Sequence, residues 1–149
     1  MTLELFSHEY FMNEALKQAQ YALEDGEIPV GAVIVSKNKI IGKGYNQTER
    51  LNDVTAHAEM LAITSAANYL GAKYLIDCKL YVTLEPCMMC GGALFWSQIG
   101  EIHYAAADPK RGCMKADPAI FHPKTKIFSG TLATEAETLL HHFFKKLRE

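Results

Sequence analysis

The apolar positions along the chain change period several times, and each change marks an element. Met12, Ala15, Leu16, Ala19, Ala22 and Leu23 recur at helical spacing. Ser7 ahead of them suits a helix cap, and Gly26 behind them suits a helix end. After Pro29, the run Val30 to Val35 is apolar and β-branched, as a short buried strand is. Ser36 to Lys39 reads as a turn, with Ile40 to Tyr45 as its hairpin partner and Asn46 to Asp53 as polar loop. A second helix is expected from a Thr55 cap to about Tyr69, with Met60, Leu61, Ile63 and Ala67 as its apolar positions and Gly71 as its stop. Leu80 to Leu84 predicts a third strand, Pro86 opens a short helix over Cys87 to Ser97, and Glu101 to Ala106 predicts a fourth strand. Asp108 to Lys124 is irregular, with one helical turn near Ala119, and Lys126 to Ser129 predicts a last short strand. Thr134 and Glu137 have capping-box spacing, so a final helix should bury a stripe of Leu139, Leu140, Phe143, Phe144 and Leu147.

A hairpin followed by strands separated by helices predicts an α/β fold, a mixed sheet with helices on both faces. Chemistry in such folds collects where strands give way to helices. The chain shows no internal repeat and no linker, so residues 1–149 read as one domain.

Composition narrows the picture. The 149 residues are 49% apolar and 21% charged, which excludes general disorder. No run of about 18 apolar residues exists, so no membrane-spanning helix is expected. The start, MTLELFSHEYFMNEAL, lacks a basic segment followed by an apolar one, so a cytoplasmic location is expected. The formal net charge of −2 gives no broad electrostatic pull on nucleic acid. The charge is uneven, however. Lys110, Arg111, Lys115, Lys124 and Lys126 against Asp117 make a local +4. That segment is either a solvated loop or a basic rim beside a pocket.

Cysteine placement turns the question toward metal or redox chemistry. Four cysteines in an intracellular chain are not a disulfide framework. Cys87 and Cys90 share one face of a helical first turn, where free N–H groups favour thiolate. Taken alone they are two buried small side chains, a redox pair or half a zinc site. His57 adds a third ligand type. With Glu59, Pro86, Cys87 and Cys90 it completes H-x-E…P-C-x-x-C, the pattern of zinc deaminases of nucleobases. Three protein ligands leave one tetrahedral position for water, as in catalytic zinc sites, whereas structural zinc takes four. Glu59, two residues after His57, does not share its helical face and is read as the proton carrier to water and base. Cys78 reads as packing; Cys113 lies in the basic loop, where it is open to exposure, and is assigned no role.

Beyond the zinc signature, Glu27 to Val35, Gly44-Tyr45-Asn46, Thr55 to Met60 and Leu80 to Cys87 resemble the bacterial tRNA adenosine deaminases, over nearly the whole chain. The resemblance implies a cytidine-deaminase-like, three-layer α/β/α domain with a five-stranded sheet. It implies one zinc per chain, a homodimer, and conversion of the anticodon wobble adenosine of tRNA to inosine. By matching motif, Asn46 would hydrogen-bond the target base, Val30 would line its pocket, and the Ala58 backbone would hold the reacting centre. Asp108 would lie near the nucleotide backbone; a turn-forming Asp before Pro109 is the other reading. On an RNA substrate, the local charge rather than a matching motif would bring Lys110 and Arg111 against phosphates. Two alternatives stand beside this one. A free-base or nucleoside deaminase for guanine or cytosine would have no use for the basic rim. A non-enzymatic zinc module would need a fourth protein ligand, and no residue is spaced to give one.

Overall fold

The computed structural model describes residues 4–115 and 120–149. In chain order the elements are α1 (His8–Glu24), β1 (Gly31–Ser36), β2 (Lys39–Tyr45), α2 (Ala58–Leu70), β3 (Lys79–Leu84), α3 (Met88–Ser97), β4 (Glu101–Ala106), a 3-10 turn (Cys113–Lys115), β5 (Lys126–Ser129) and α4 (Ala133–Leu147). The helical turn expected near Ala119 lies outside the described residues.

The strands form one sheet in the order β2-β1-β3-β4-β5. β1 is antiparallel to both β2 and β3, while β3, β4 and β5 run parallel. β1 is buried on both faces. Ala32 and Ile34 face Ala58, Ala62, Ala66 and Leu94 of α2 and α3. Val33 and Val35 face Phe11, Met12 and Ala15 of α1, and Ala136 of α4 joins that layer. Helices thus cover both sides, giving the three layers expected.

Caps and close approaches, rather than the apolar pattern, set the details. Ser7 caps α1 as expected, its hydroxyl accepting the Tyr10 N–H at 3.0 Å. Lys37 and Asn38 both adopt positive φ, which suits the tight β1–β2 hairpin. Thr55 does not cap α2. Its N–H and hydroxyl both donate to Asp53, and His57, with extended backbone, is the cap. The buried face of α2 is Ala58, Ala62 and Ala66, and Met60, Leu61, Ile63 and Ala67 are only half-buried. The reason lies on β2, where Gly42 and Gly44 let the backbone of α2 rest directly on the strand. A Cβ at Gly44 would collide with the Ala58 carbonyl.

α3 starts at Met88, with Cys87 as its cap. The capping box of α4 is absent. Leu132 turns the chain with positive φ, so Ala133 is already helical and Thr134 lies inside the first turn, where it cannot cap. Only Ala136 of α4 is fully buried; Leu139, Leu140 and Phe143 are half-buried, and Phe144 and Leu147 are exposed.

The Gly44 contact carries a prediction. Gly44→Ala should destabilise the fold by about 1–3 kcal/mol through overpacking. It should also displace the first turn of α2. Thermal or denaturant unfolding measures the first effect, and zinc content after dialysis measures the second.

Candidate metal centre and active site

One end of the sheet collects the chemistry. Gly31 pairs with Tyr45 and Leu84 pairs with Ala106, so the start of β1 and the ends of β2, β3 and β4 lie side by side. Val30, Asn46 and Glu85 directly precede or follow those strand ends, and Asp108 lies two residues past the end of β4. α2 enters over β2 with His57 at its head, and α3 leaves β3 with Cys87 at its head.

Two helix entrances therefore meet. The His57 Nδ1 lies 3.6 Å from the Cys87 sulfur and 3.5 Å from the Cys90 sulfur. One ligand atom from each of the three residues falls within 4.8 Å of the others. A tetrahedral zinc with arms of about 2.3 Å to sulfur and about 2.0 Å to nitrogen sets those atoms about 3.5 Å apart. The residues present fit the ion. The donor set is also that of zinc, two thiolates and an imidazole, with no fourth protein ligand among the described residues.

The electrostatics favour a cation. Hydrogen bonds from the Cys90 thiol and the His57 imidazole hold Cys87 down at about 3. Cys90 shares that proton with Cys87 and lies in the interior, and both push its thiol up. The hydrogen bond to Cys87 raises His57. A cation at this point takes the place of the shared proton.

Glu59 is 4% exposed. Burial pushes its carboxyl up to about 7, opposed in part by its hydrogen bond with Cys90 and by His57. His57 lies outside α2 with extended backbone, so the two residues do not share a helix surface, and the carboxyl turns to the thiol side of the centre. A carboxyl held near neutrality can both take and give a proton.

The remaining expected residues divide. Ala58 is buried at the first position of α2, where backbone N–H groups have no helical partner. Val30 is half-buried and packs on the core beneath α2. Asn46 is buried; its amide donates to the Ile28 carbonyl at 3.3 Å and accepts the Thr48 N–H at 3.4 Å. Asp108 has the turn-forming geometry, its Oδ1 accepting the N–H of Lys110 and of Arg111, each at 3.1 Å. Lys110, Arg111, Lys115, Lys124 and Lys126 are all exposed, and none joins an ion pair among the described residues. Cys113, assigned no role from the sequence, lies in the interior. It is buried against Gly91, its N–H donates to the Pro86 carbonyl at 2.8 Å, and burial pushes its thiol up to about 12. Cys78 is buried as expected.

Two buried carboxylates went unassigned in the sequence. Glu27, 2% exposed, accepts the N–H of Glu49 at 3.1 Å and of Arg50 at 2.7 Å, which pins the loop after β2. Glu85 holds the loop after β4 in the same way. The available signal was an acid beside proline at the border of an apolar strand, in Glu27-Ile28-Pro29 and Glu85-Pro86.

Residues 6–106 match the family model described as the cytidine and deoxycytidylate deaminase zinc-binding region. The chain belongs to this family. A tRNA-specific adenosine deaminase of Aquifex aeolicus is 47% identical over 147 residues, covering 94% of this chain and 95% of that protein. A solved structure from a study of A-to-I editing by tRNA:A34 deaminases at the wobble position of transfer RNA is 39% identical, with a TM-score of 0.83. It covers 88% of this chain and 99% of that one. A solved structure of Bacillus subtilis guanine deaminase is 45% identical over 68% of this chain and 65% of that one, with a TM-score of 0.65. The chain is thus a zinc-family hydrolytic deaminase, and its sheet is that of the cytidine-deaminase-like enzymes.

Freshly purified protein is expected to hold about one zinc per chain, measured by elemental analysis, and Cys87→Ser should reduce that occupancy. Glu59→Ala should retain the metal and lose turnover by about 100-fold or more, as loss of a general acid–base does. Retained turnover would remove Glu59 from proton transfer.

Proposed function

We propose that the chain deaminates adenosine to inosine at the wobble position of a tRNA anticodon. The observation that carries this reading is the convergence of His57, Cys87 and Cys90 beside the buried Glu59. It sits in a chain matching tRNA-specific adenosine deaminases along nearly its full length. His57, Cys87 and Cys90 would hold the ion. Bound there, zinc supplies a Lewis acid that lowers the pKa of water and so furnishes a nucleophile at neutral pH. Glu59 takes a proton from the water that adds at adenine C6 and hands it to the purine ring; it then carries the proton of the new C6 hydroxyl to the amino group, which leaves as ammonia as the C6 carbonyl forms. Asn46 and Val30 receive the base, the Ala58 backbone steadies the reacting centre, and Asp108 shapes the turn at the nucleotide backbone. The base must be splayed out of its loop, which costs least in single-stranded RNA.

Deamination of free guanine or cytosine is the second reading, and the similarity to guanine deaminase favours it. The exposed cations of the Lys110–Lys126 stretch support RNA instead, because phosphate neutralisation dominates nucleic-acid affinity. A tRNA substrate implies work in the cytoplasm, and no helix among the described residues is long and apolar enough to cross a membrane. We also propose a homodimer, with residues 1–149 acting as one domain in each copy. Met88, Met89 and Trp96 of α3 stand exposed, Trp96 by 75%, on a short helix whose other side is core. Such a patch fits a second copy of the chain.

Two measurements test this. Turnover of an anticodon stem-loop should fall steeply with salt. Lys110→Glu/Arg111→Glu should flatten the log–log slope by about 1.4, given roughly 0.7 per phosphate contact on single strands, with zinc content unchanged. Identical salt curves would remove the basic stretch from RNA binding, and turnover of guanine or cytosine alone would favour the second reading. Sedimentation at micromolar concentration is expected to give a dimer, and Trp96→Glu is expected to shift it toward monomer.

A further inference from the structure

Glu85 is a carboxylate that the chemistry above does not use. It lies where β3 ends, two residues before Cys87, and is 7% exposed. Its Oε1 accepts the Asp108 N–H at 3.0 Å and its Oε2 accepts the Met114 N–H at 3.0 Å. Among the described residues no cationic side chain pairs with it. The segment from Asp108 to Met114 therefore closes around a buried anion and grips it with both ends.

The rest of the loop is built to that anion. The Gly112 N–H donates to the Asp108 carbonyl at 3.0 Å, and a Cβ at Gly112 would overlap the Glu85 carboxylate. On its outer side the loop presents Lys110 and Arg111, whose N–H groups are held by Asp108. On its inner side Gly112 pairs with Cys87 in an isolated β-bridge, and the Cys113 N–H donates to the Pro86 carbonyl at 2.8 Å. One loop thus carries exposed cations on one side and the backbone of a ligand residue on the other.

We propose that Glu85 is a positioning residue that holds the cationic turn Lys110–Arg111 in register with Cys87, so that an RNA gripped by the turn is presented to the catalytic centre. The proposal rests on the RNA reading above. The two carboxylate oxygens meet both donors at once. They offer an acceptor to each of the two N–H groups, whereas a glutamine turns its own N–H₂ toward one of them. Among the described residues these two backbone N–H groups are the hydrogen-bond partners of the side chain, so removing either hydrogen bond frees one end of the loop.

The test is steady-state kinetics on an anticodon stem-loop. Glu85→Gln is expected to raise KM about tenfold, the cost of one charge-assisted hydrogen bond, and to leave kcat within about twofold. Zinc content should stay at parent level. Gly112→Ala perturbs the same contact from the opposite side and should raise KM likewise. The double variant should fall well short of the product of the two effects, because both act on one contact. Amide exchange should show lost protection at Asp108 and Met114 in Glu85→Gln. An unchanged KM in both variants, fully multiplicative effects, or a fall in kcat with zinc loss at constant KM would overturn the proposal. If the parent chain turns over no stem-loop, the RNA reading fails and this coupling with it. If the parent turns it over and the variants match the parent, only the role of Glu85 fails.

Discussion

Everything at the functional end of the molecule depends on bringing one imidazole and two sulfurs within 4.8 Å of one another from two separate helix entrances. Cys87 and Cys90 are local to α3, but His57 arrives from thirty residues earlier in the chain. What closes that gap is backbone contact between α2 and β2. Gly42 and Gly44 lack the atoms that would hold the helix away, and the alanines at 58, 62 and 66 present almost nothing in return. A larger residue on either side would lift α2 and carry His57 and Glu59 with it. The same device recurs on the opposite face, where Gly31 meets the backbone of α1 at Ala15 and Ala19. Small residues here act on the position of a candidate metal ligand rather than on the volume of a core.

Glu27, Glu59 and Glu85 are all buried, and they divide by what faces them. Glu27 and Glu85 accept backbone N–H groups and so fix two loops. Glu59 faces thiols and an interior that resists charge, so its carboxyl is pushed up to about 7, where a proton moves in either direction at little cost. Residue type alone does not separate these roles; the donors that meet each carboxylate do. Glu27, ahead of β1, holds the loop that follows β2, and Glu85, just after β3, holds the loop that follows β4.

The outer surface follows a different logic. α3 spends its inner side on Cys90, Gly91, Leu94 and Ser97 and leaves Met88, Met89 and Trp96 outside. α4 joins the α1 layer through Ala136, and its later turns run alongside the end of α1 with a groove of about 320 Å³ between them. Leu23, Phe143 and Leu147 line that groove, so the apolar stripe of α4 is only partly consumed within one chain.

Much of this protein was legible in its sequence. Strand and helix order followed from local periodicity, because backbone hydrogen bonding within a segment depends on that segment. The ligand types were legible too, because zinc restricts its donors to a few side chains at short spacings. Tertiary structure decided what depends on pairs of distant segments. Asp53 took Thr55, so the cap of α2 fell to His57 and the histidine left the helix face on which its spacing from Glu59 had been judged. Leu132 turned the chain early, so Thr134 entered α4 instead of capping it. Cys113 is buried because Gly91 makes room beside it, and Glu85 matters because Asp108 and Met114 return to it from more than twenty residues away. Caps, burial and buried charge are each settled by whichever partner reaches the group in space, and sequence distance does not say which partner that is.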